Sequence, residues 1–168
     1  LAGALAVMLL AAGCAAEEPA ERETPPATAA SGECLVLVWQ RQPDPDPSFD
    51  RAHDLAEGGA ISCATGTSAS RFEAALAAIR EAAASGDKAR LLGELGIPLL
   101  YIDAAGNRRE LDRPEAVEAL FDEVFSPDTL ALLERVRLED LTVVAGEGAF
   151  VELGAVWLVV EEPGGRPK

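Results

Sequence analysis

Twelve residues at the start of the sequence, Leu1 to Ala12, form an unbroken apolar run that carries no charge. A helix that spans a bilayer needs about 20 such residues, so this run is too short to cross a membrane. Its length is typical of the apolar centre of a secretory signal peptide. We therefore assign residues 1–13 to a signal peptide, and we expect the folded domain to lie outside the cytoplasm. The basic start of such a signal is missing, and we expect further residues before Leu1.

The run ends in Leu10-Ala11-Ala12-Gly13-Cys14, and small residues before a cysteine resemble the lipobox of bacterial lipoproteins. The resemblance implies that Cys14 is lipidated and becomes the first residue of the mature protein, bound stably to a membrane by several acyl chains. A lipobox usually has leucine where this sequence has Ala11. The alternative is an ordinary cleaved signal with an incidental cysteine. Ala15 in place of aspartate implies, by the same resemblance, the periplasmic face of the outer membrane as the location in the cell envelope.

If Cys14 carries lipid, Cys34 and Cys63 remain as a pair in an oxidising compartment, and we expect a disulfide between them. Closing a loop of this length is worth about 3–4 kcal/mol on the chain-entropy argument. The alternative makes Cys63 a nucleophile activated by His53, the only histidine. That alternative needs a free thiol, which export disfavours.

Composition divides the mature chain into three parts. Residues 14–33 have no aromatic and no large aliphatic residue, so we expect a flexible tether. Residues 34–161 are enough for one globular domain, and residues 162–168, rich in Gly and Pro, are predicted to be a flexible tail. The net charge is −15 and the pI is about 4.4. Nucleic acid and anionic lipid surfaces need a basic footprint, so neither is an expected partner.

Hydrophobic periodicity and capping residues predict an α+β domain in which helices cover a mostly antiparallel sheet. The helix from Ser70 to Gly86 is the clearest element, because Ser70 opens a capping box and Gly86 ends the apolar repeat. The other predicted helices are 49–57, 88–95 after Asp87, one from the Asp112 capping box, and one from Ser126-Pro127 to 137. The predicted strands are 35–40, 60–64, 97–103, 108–111, 141–145 and 149–160.

Several short motifs between 70 and 161 resemble the nuclear transport factor two-like superfamily, including its SnoaL-like members. The motifs are Ser85-Gly86-Asp87 after a helix, the strand Ile97-Pro98-Leu99, Ser126-Pro127 after Phe125, and Gly154-Ala155-Val156-Trp157. The resemblance implies a cone-shaped fold, with helices on a curved sheet, and makes residues 34–69 a disulfide-closed extension. The superfamily contains dehydratases, isomerases and cyclases as well as members that only bind partners, so the fold does not choose a function.

The leading hypothesis is a non-catalytic binding or accessory module for an apolar ligand or an envelope protein, and a homodimer is a candidate assembly. We assign no catalytic residue, cofactor or metal. The candidate pocket residues are Tyr101, Asp103, Phe121, Phe125, Phe150, Glu152 and Trp157. The alternative is a lyase or isomerase in which Tyr101 and Asp103 lie two apart on one strand, with Glu152 or Trp157 nearby as proton handler and apolar wall. Each of these side chains also has an ordinary structural explanation, as core aromatic or turn former.

Two further motifs are near misses. Asp44, Asp46 and Asp50 are spaced like calcium ligands, but prolines lie between them and the central glycine is absent. The segment Gly66-Thr67-Ser68-Ala69-Ser70 resembles a nucleophile elbow without its last glycine, and helix capping explains it.

Overall fold

The computed structural model describes residues 27–103 and 105–168. Cys14, the predicted signal peptide and most of the predicted tether lie outside these residues. The helices are α1 (Ala27–Trp39), α2 (Pro47–His53), α3 (Ile61–Thr65), α4 (Ala69–Ser85), α5 (Lys88–Gly93), α6 (Pro114–Ala119), α7 (Phe121–Val124) and α8 (Pro127–Arg135). The strands are β1 (Leu55–Ala56), β2 (Gly59–Ala60), β3 (Leu99–Ile102), β4 (Arg108–Leu111), β5 (Thr142–Val144), β6 (Gly148–Val151) and β7 (Val156–Leu158). Leu138–Asp140 is a single 3-10 turn, and Glu152–Gly154 is a tight turn with positive φ angles.

The architecture is α+β with antiparallel strand pairing, as predicted. In the described residues the strands form three separate sheets, β1–β2, β3–β4 and β5–β6–β7, instead of one continuous curved sheet. The predicted strand at 149–160 is interrupted after Val151, where the chain turns before it enters β7. The largest of the three sheets is therefore three short strands wide.

The strand predicted at 35–40 is wrong, because these residues belong to α1. Leu35 and Val38, three apart, are buried, while Val36 and Leu37 are exposed, which is a helical pattern. Tertiary packing therefore overrides the β-propensity of a Leu-Val-Leu-Val run. Helix α1 also covers residues 27–33, which were predicted to be tether. A disulfide joins Cys34 of α1 to Cys63 of α3, with a Cα–Cα distance of 5.2 Å.

The strand predicted at 60–64 is also wrong, since β2 ends at Ala60 and α3 follows directly. The carboxylate of Asp54 explains the start of this helix. It accepts hydrogen bonds from the Ser62 backbone N–H and from Ser62 Oγ, both at 2.8 Å. Asp54 therefore provides the hydrogen-bond acceptor for the N-terminus of α3 from eight residues before Ser62. Capping motifs in sequence involve residues much closer to the helix start, so they do not reveal this interaction. The helix predicted at 49–57 ends earlier, at His53.

Helix α4 lies at the centre of the domain and packs along α8. Its end at Gly86 is as predicted, but its N-cap is Ser68, whose side chain accepts from Arg71 N–H. Ser70 N–H instead donates to the buried carboxylate of Asp50. The apolar side of α4 reaches the core, which also takes residues from α5 to α8 and the three-stranded sheet; its largest buried side chains include Phe72, Ile61, Leu76, Val117, Leu141, Val151 and Leu158.

The other predicted helix starts agree in part. Asp87 caps α5 by accepting from Arg90 N–H, and Ser126 caps α8 by accepting from Thr129 N–H. Helix α6 begins at Pro114, as the motif predicts, but its N-cap Arg113 makes no side-chain capping bond.

Residues 34–69 are packed against the rest of the domain. Glu57 accepts a backbone hydrogen bond from Val143 of β5 at 2.8 Å, and Ala64 accepts one from Gly146 at 2.9 Å. The segment is therefore part of the same folded unit as the sheet.

Residues 162–168 are not a loose tail, which corrects that prediction. Val159 and Lys168 exchange two backbone hydrogen bonds, at 2.9 and 3.1 Å. Thr67 Oγ1 donates to Gly165 O at 2.7 Å, and Pro167 is almost completely buried. The abundance of Gly and Pro in this segment led to the prediction of flexibility. In the structure these residues instead allow the backbone turns with which the segment packs against the domain.

Candidate binding groove

The seven predicted pocket residues fall into three places in the structure. Tyr101 and Asp103 belong to the β3–β4 hairpin, Phe121 and Phe125 to the helical core, and the other three to the β6–β7 hairpin; these three are Phe150, Glu152 and Trp157. The structure therefore gives each group its own role.

Tyr101 and Asp103 are engaged in local interactions. Tyr101 Oη donates to Glu123 Oε1 at 3.1 Å, and partial burial together with that carboxylate raises the pKa of Tyr101. Asp103 Oδ1 accepts from the backbone N–H groups of Ala105 and Asn107 at 3.0 and 2.8 Å. The bonds from Asn107, and then that from Ala105, lower the pKa of Asp103. A carboxylate held as a turn former with a lowered pKa is poorly suited to deliver a proton near neutral pH.

Phe121 and Phe125 are core residues. Both are buried, and their ring centroids lie 4.8 Å apart in a tilted arrangement. Lys88 Nζ lies 4.5 Å from the Phe121 ring centroid and covers its outer side. These two aromatic rings therefore contribute packing and have little surface to offer a ligand.

An open groove of about 620 Å³ lies where the end of α8 meets the three-stranded sheet. We call it the α8–β6 groove. It is lined by Glu57, Leu132, Arg135, Val136, Arg137, Asp140, Thr142, Phe150, Val151, Glu152 and Leu153. Two of the predicted pocket residues, Phe150 and Glu152, are among them.

The floor of the groove is apolar and its rim is charged. Leu132, Val136 and Val151 are buried and form the floor. Arg80 supports this floor from α4, because its guanidinium donates to Val136 O at 2.9 Å and to Glu73 at 2.7 Å. A rigid apolar floor with polar groups around it is the usual composition of a binding site.

Two arginines stand on the rim, each beside a carboxylate. Arg135 pairs with Glu152 at 3.1 Å, where both side chains are more than half exposed. Arg137 donates to Asp140 and lies 2.6 Å from Glu139. The hydrogen bonds to Asp140, followed by attraction to Glu139, raise the pKa of Arg137. Exposed pairs of this kind contribute little stability, so a partner could replace them at small cost.

A left-handed turn forms one end of the groove. Glu152 and Leu153 have φ angles of 49° and 56°, which non-glycine residues rarely adopt, and Gly154 follows with φ 93°. Ala155 N–H closes the turn by donating to Val151 O at 3.1 Å. Leu153 is fully exposed at its tip, with a relative accessibility of 102%. An apolar side chain held in solvent by a backbone that non-glycine residues rarely adopt makes this turn a candidate binding surface.

The exposed apolar surface continues from the groove onto β7. Phe150 of the groove stacks on Trp157 with centroids 4.9 Å apart, and Trp157 is 43% exposed. The predicted residues Phe150, Glu152 and Trp157 therefore do lie together, but on an open surface instead of inside a cone.

Four residues of the groove, Arg135, Arg137, Asp140 and Leu153, carry no motif that marks them in the sequence as site residues. The arginines lie at the end of a surface helix, where basic residues are expected for their interaction with the helix dipole. A signal for Leu153 does exist, because Glu-Leu-Gly interrupts an otherwise continuous apolar run. The presence of a turn there could have been predicted, but not its left-handed backbone.

The near-miss motifs have structural roles. His53 stacks on Phe49 at 4.1 Å, and its Nδ1 lies 2.9 Å from Phe49 O, so its own helix holds it. Asp46 caps α2 by accepting from Phe49 N–H, which lowers the pKa of Asp46. Among residues 27–103 and 105–168, no three His, Cys, Asp or Glu side chains come together as metal ligands would.

Comparisons with known proteins do not assign this chain to a family. The chain matches no protein-family model, no curated protein and no solved structure. Within the part of the chain that the structure describes, no helix combines the length and apolar character needed to cross a bilayer.

Proposed function

We propose that this chain is a lipid-anchored lipoprotein of the bacterial cell envelope, and that its domain is a non-catalytic module that binds an envelope protein at the α8–β6 groove. The observation that carries the binding site is Leu153, fully exposed on a left-handed turn beside an apolar floor. The lipobox-like segment before Cys14 supports the anchor, and the Cys34–Cys63 disulfide is consistent with an oxidising compartment.

The charges of the groove define the kind of partner. Three carboxylates and two arginines line it, namely Glu57, Asp140, Glu152, Arg135 and Arg137, in a chain whose net charge is −15. A partner segment that carries apolar side chains for the floor and basic ones for the rim complements both the local and the overall field. We therefore propose a Lys- or Arg-flanked apolar segment as the occupant.

A lyase or isomerase is the second candidate, with an acid inside a cone. The nuclear transport factor two-like assignment remains a prediction that rests on the motifs between Ser85 and Trp157. No specific observation favours catalysis, since Asp103 serves the hairpin turn and its pKa is lowered.

Peptide binding tests the groove. The probe is a synthetic peptide of alternating Leu and Lys, compared with one in which Glu replaces Lys, and the readout is the heat of binding in isothermal titration calorimetry. We expect the Lys peptide alone to bind, and Leu153→Asp to weaken it about tenfold or more. Leu37→Asp, at a side chain that is also exposed but lies on helix α1, is the matched control and should bind like the parent. Equal binding by parent and both variants would show nonspecific attraction and refute the groove.

Mass spectrometry of the processed product tests the anchor. We expect Cys14 to carry diacylglycerol, and Cys14→Ser to move the protein from the membrane to the soluble fraction. An unmodified Cys14 in native material would refute the lipoprotein proposal without affecting the groove.

A further inference from the structure

The β3–β4 hairpin has one edge that nothing in the described structure pairs or protects. Strand β3 consists of Leu99, Leu100, Tyr101 and Ile102, with no charge. Strand β4 carries Arg108, Arg109 and Glu110. Charged residues are the usual protection of an edge strand against pairing with another chain. The β4 edge is therefore protected, whereas the β3 edge is not.

The register shows which backbone groups of β3 are free. Leu100 pairs with Glu110 and Ile102 with Arg108, while Asp103 N–H donates to Asn107 O at 3.0 Å. Because hydrogen-bonded and non-hydrogen-bonded pairs alternate, the N–H and C=O groups of Leu100 and Ile102 point away from β4. Among the described residues no other group bonds to them. Their side chains are also exposed, Leu100 by 48% and Ile102 by 74%.

We propose that a second copy of this chain pairs with this edge, β3 against β3, to form a four-stranded sheet across a homodimer. In the antiparallel register centred on Tyr101, Leu100 faces the partner's Ile102 and Ile102 faces the partner's Leu100. These two pairs exchange four backbone hydrogen bonds and bring four exposed aliphatic side chains together on one face. The same patch serves both subunits, which is the condition for a two-fold interface.

Length and charge both favour a second copy over a longer foreign strand. Pro98, which has no N–H, precedes the strand, and the turn at Asp103 follows it, so within β3 only Leu100 and Ile102 offer N–H groups at this edge. An identical edge matches that short ladder completely. The hairpin also carries two acids and two bases, Asp103, Glu110, Arg108 and Arg109, so it is locally neutral in a strongly acidic chain. Two copies therefore meet there with little repulsion.

Sedimentation velocity on the full chain, in a concentration series, tests the dimer. We expect a reversible dimer, and we expect Ile102→Lys to raise its dissociation constant about tenfold or more. Leu55→Lys, at an aliphatic residue of β1 that is 61% exposed, adds the same charge elsewhere and should leave the constant within about twofold. Thermal unfolding by circular dichroism verifies that each variant is folded. A parent that stays monomeric throughout, or an Ile102→Lys variant that dimerises like the parent, overturns the proposal.

Cysteine cross-linking tests the register. In a Cys14→Ser background, single variants Leu100→Cys, Tyr101→Cys and Ile102→Cys are oxidised mildly and separated without reductant. Directly opposite residues place their Cβ atoms within about 5 Å, close enough for a disulfide. We expect Tyr101→Cys to form the covalent dimer efficiently, because this position meets its own copy. Preferential cross-linking of Leu100→Cys or Ile102→Cys would refute this register, and binding of β3 to another protein by a monomeric chain would refute the second copy.

Discussion

The indole Nε1 of Trp39 donates a 2.7 Å hydrogen bond to Oδ2 of Asp50, a residue that is completely buried. The other carboxylate oxygen accepts from Ser70 N–H at 2.8 Å. Asp50 thus connects α1, α2 and the first turn of α4 through one buried charge. Such a group is satisfied only while all three helices are in place.

Removal of that carboxylate should be costly. We expect Asp50→Ala to lower the free energy of unfolding by about 2–4 kcal/mol, because it leaves the Trp39 and Ser70 N–H groups without acceptors. Urea unfolding gives the value. Glu118→Ala, at an exposed carboxylate of α6, should change it by less than about 0.5 kcal/mol. A loss below about 1 kcal/mol for Asp50→Ala would mean that water replaces the carboxylate.

Reduction of Cys34–Cys63 should destabilise the domain. The bond closes a loop over a separation of 29 residues, for which chain entropy gives roughly 3–4 kcal/mol. We expect the urea midpoint of the parent to fall when reductant is added. The double variant Cys34→Ala/Cys63→Ala should unfold at the reduced midpoint and show no response to reductant. A parent midpoint that is the same in both conditions would contradict a stabilising disulfide.

The β3–β4 turn should weaken in acid. The folded pKa of Asp103 lies below its ordinary value of 3.8, so its contribution is present above about pH 3.8 and is lost as pH falls through the lower folded pKa. The protection factors of the Ala105 and Asn107 amides, which donate to this carboxylate, should therefore fall in that range once exchange is corrected for its intrinsic pH dependence. Asp103→Asn should remove the acid dependence at these amides. Acid dependence that persists in this variant would assign it to another carboxylate.

Alanine substitution should destabilise the protein much more at one of two neighbouring glycines than at the other. Gly58 and Gly59 both have positive φ, 91° and 136°, but a Cβ on Gly58 would lie 2.1 Å from Val143 O, whereas one on Gly59 meets nothing within 4 Å. We expect Gly58→Ala to cost about 3 kcal/mol or more, because β5 must move, and Gly59→Ala to cost only backbone strain of about 1 kcal/mol. Equal losses in urea unfolding would mean that β5 does not hold its position against Gly58.

Local signals predicted those parts of the fold that local residues determine. Ser126-Pro127, Asp87 and Gly86 mark real helix ends, and the hairpin from Leu99 to Leu111 follows from its alternation and turn.

The wrong predictions occur where a distant partner decides the structure. The first turn of α3 is capped by Asp54, and α1 is held in place by its bonds to Cys63 and Asp50. A short window of sequence does not contain these partners, so it does not predict that either segment is helical. The groove was missed for a similar reason, since its floor and rim come from Glu57, from the end of α8 and from β6, which only the fold brings together.

The bond between Thr67 and Gly165 joins residues 98 positions apart, and Gly164 N–H donates to Gly66 O beside it. Because a protein chain is made and exported from its N-terminus, these two hydrogen bonds cannot form until residues 162–168 have left the synthesis or export machinery. The segment around Thr67 therefore lacks both bonds while the intervening residues are being made. During that interval chaperones and proteases have access to the incomplete domain.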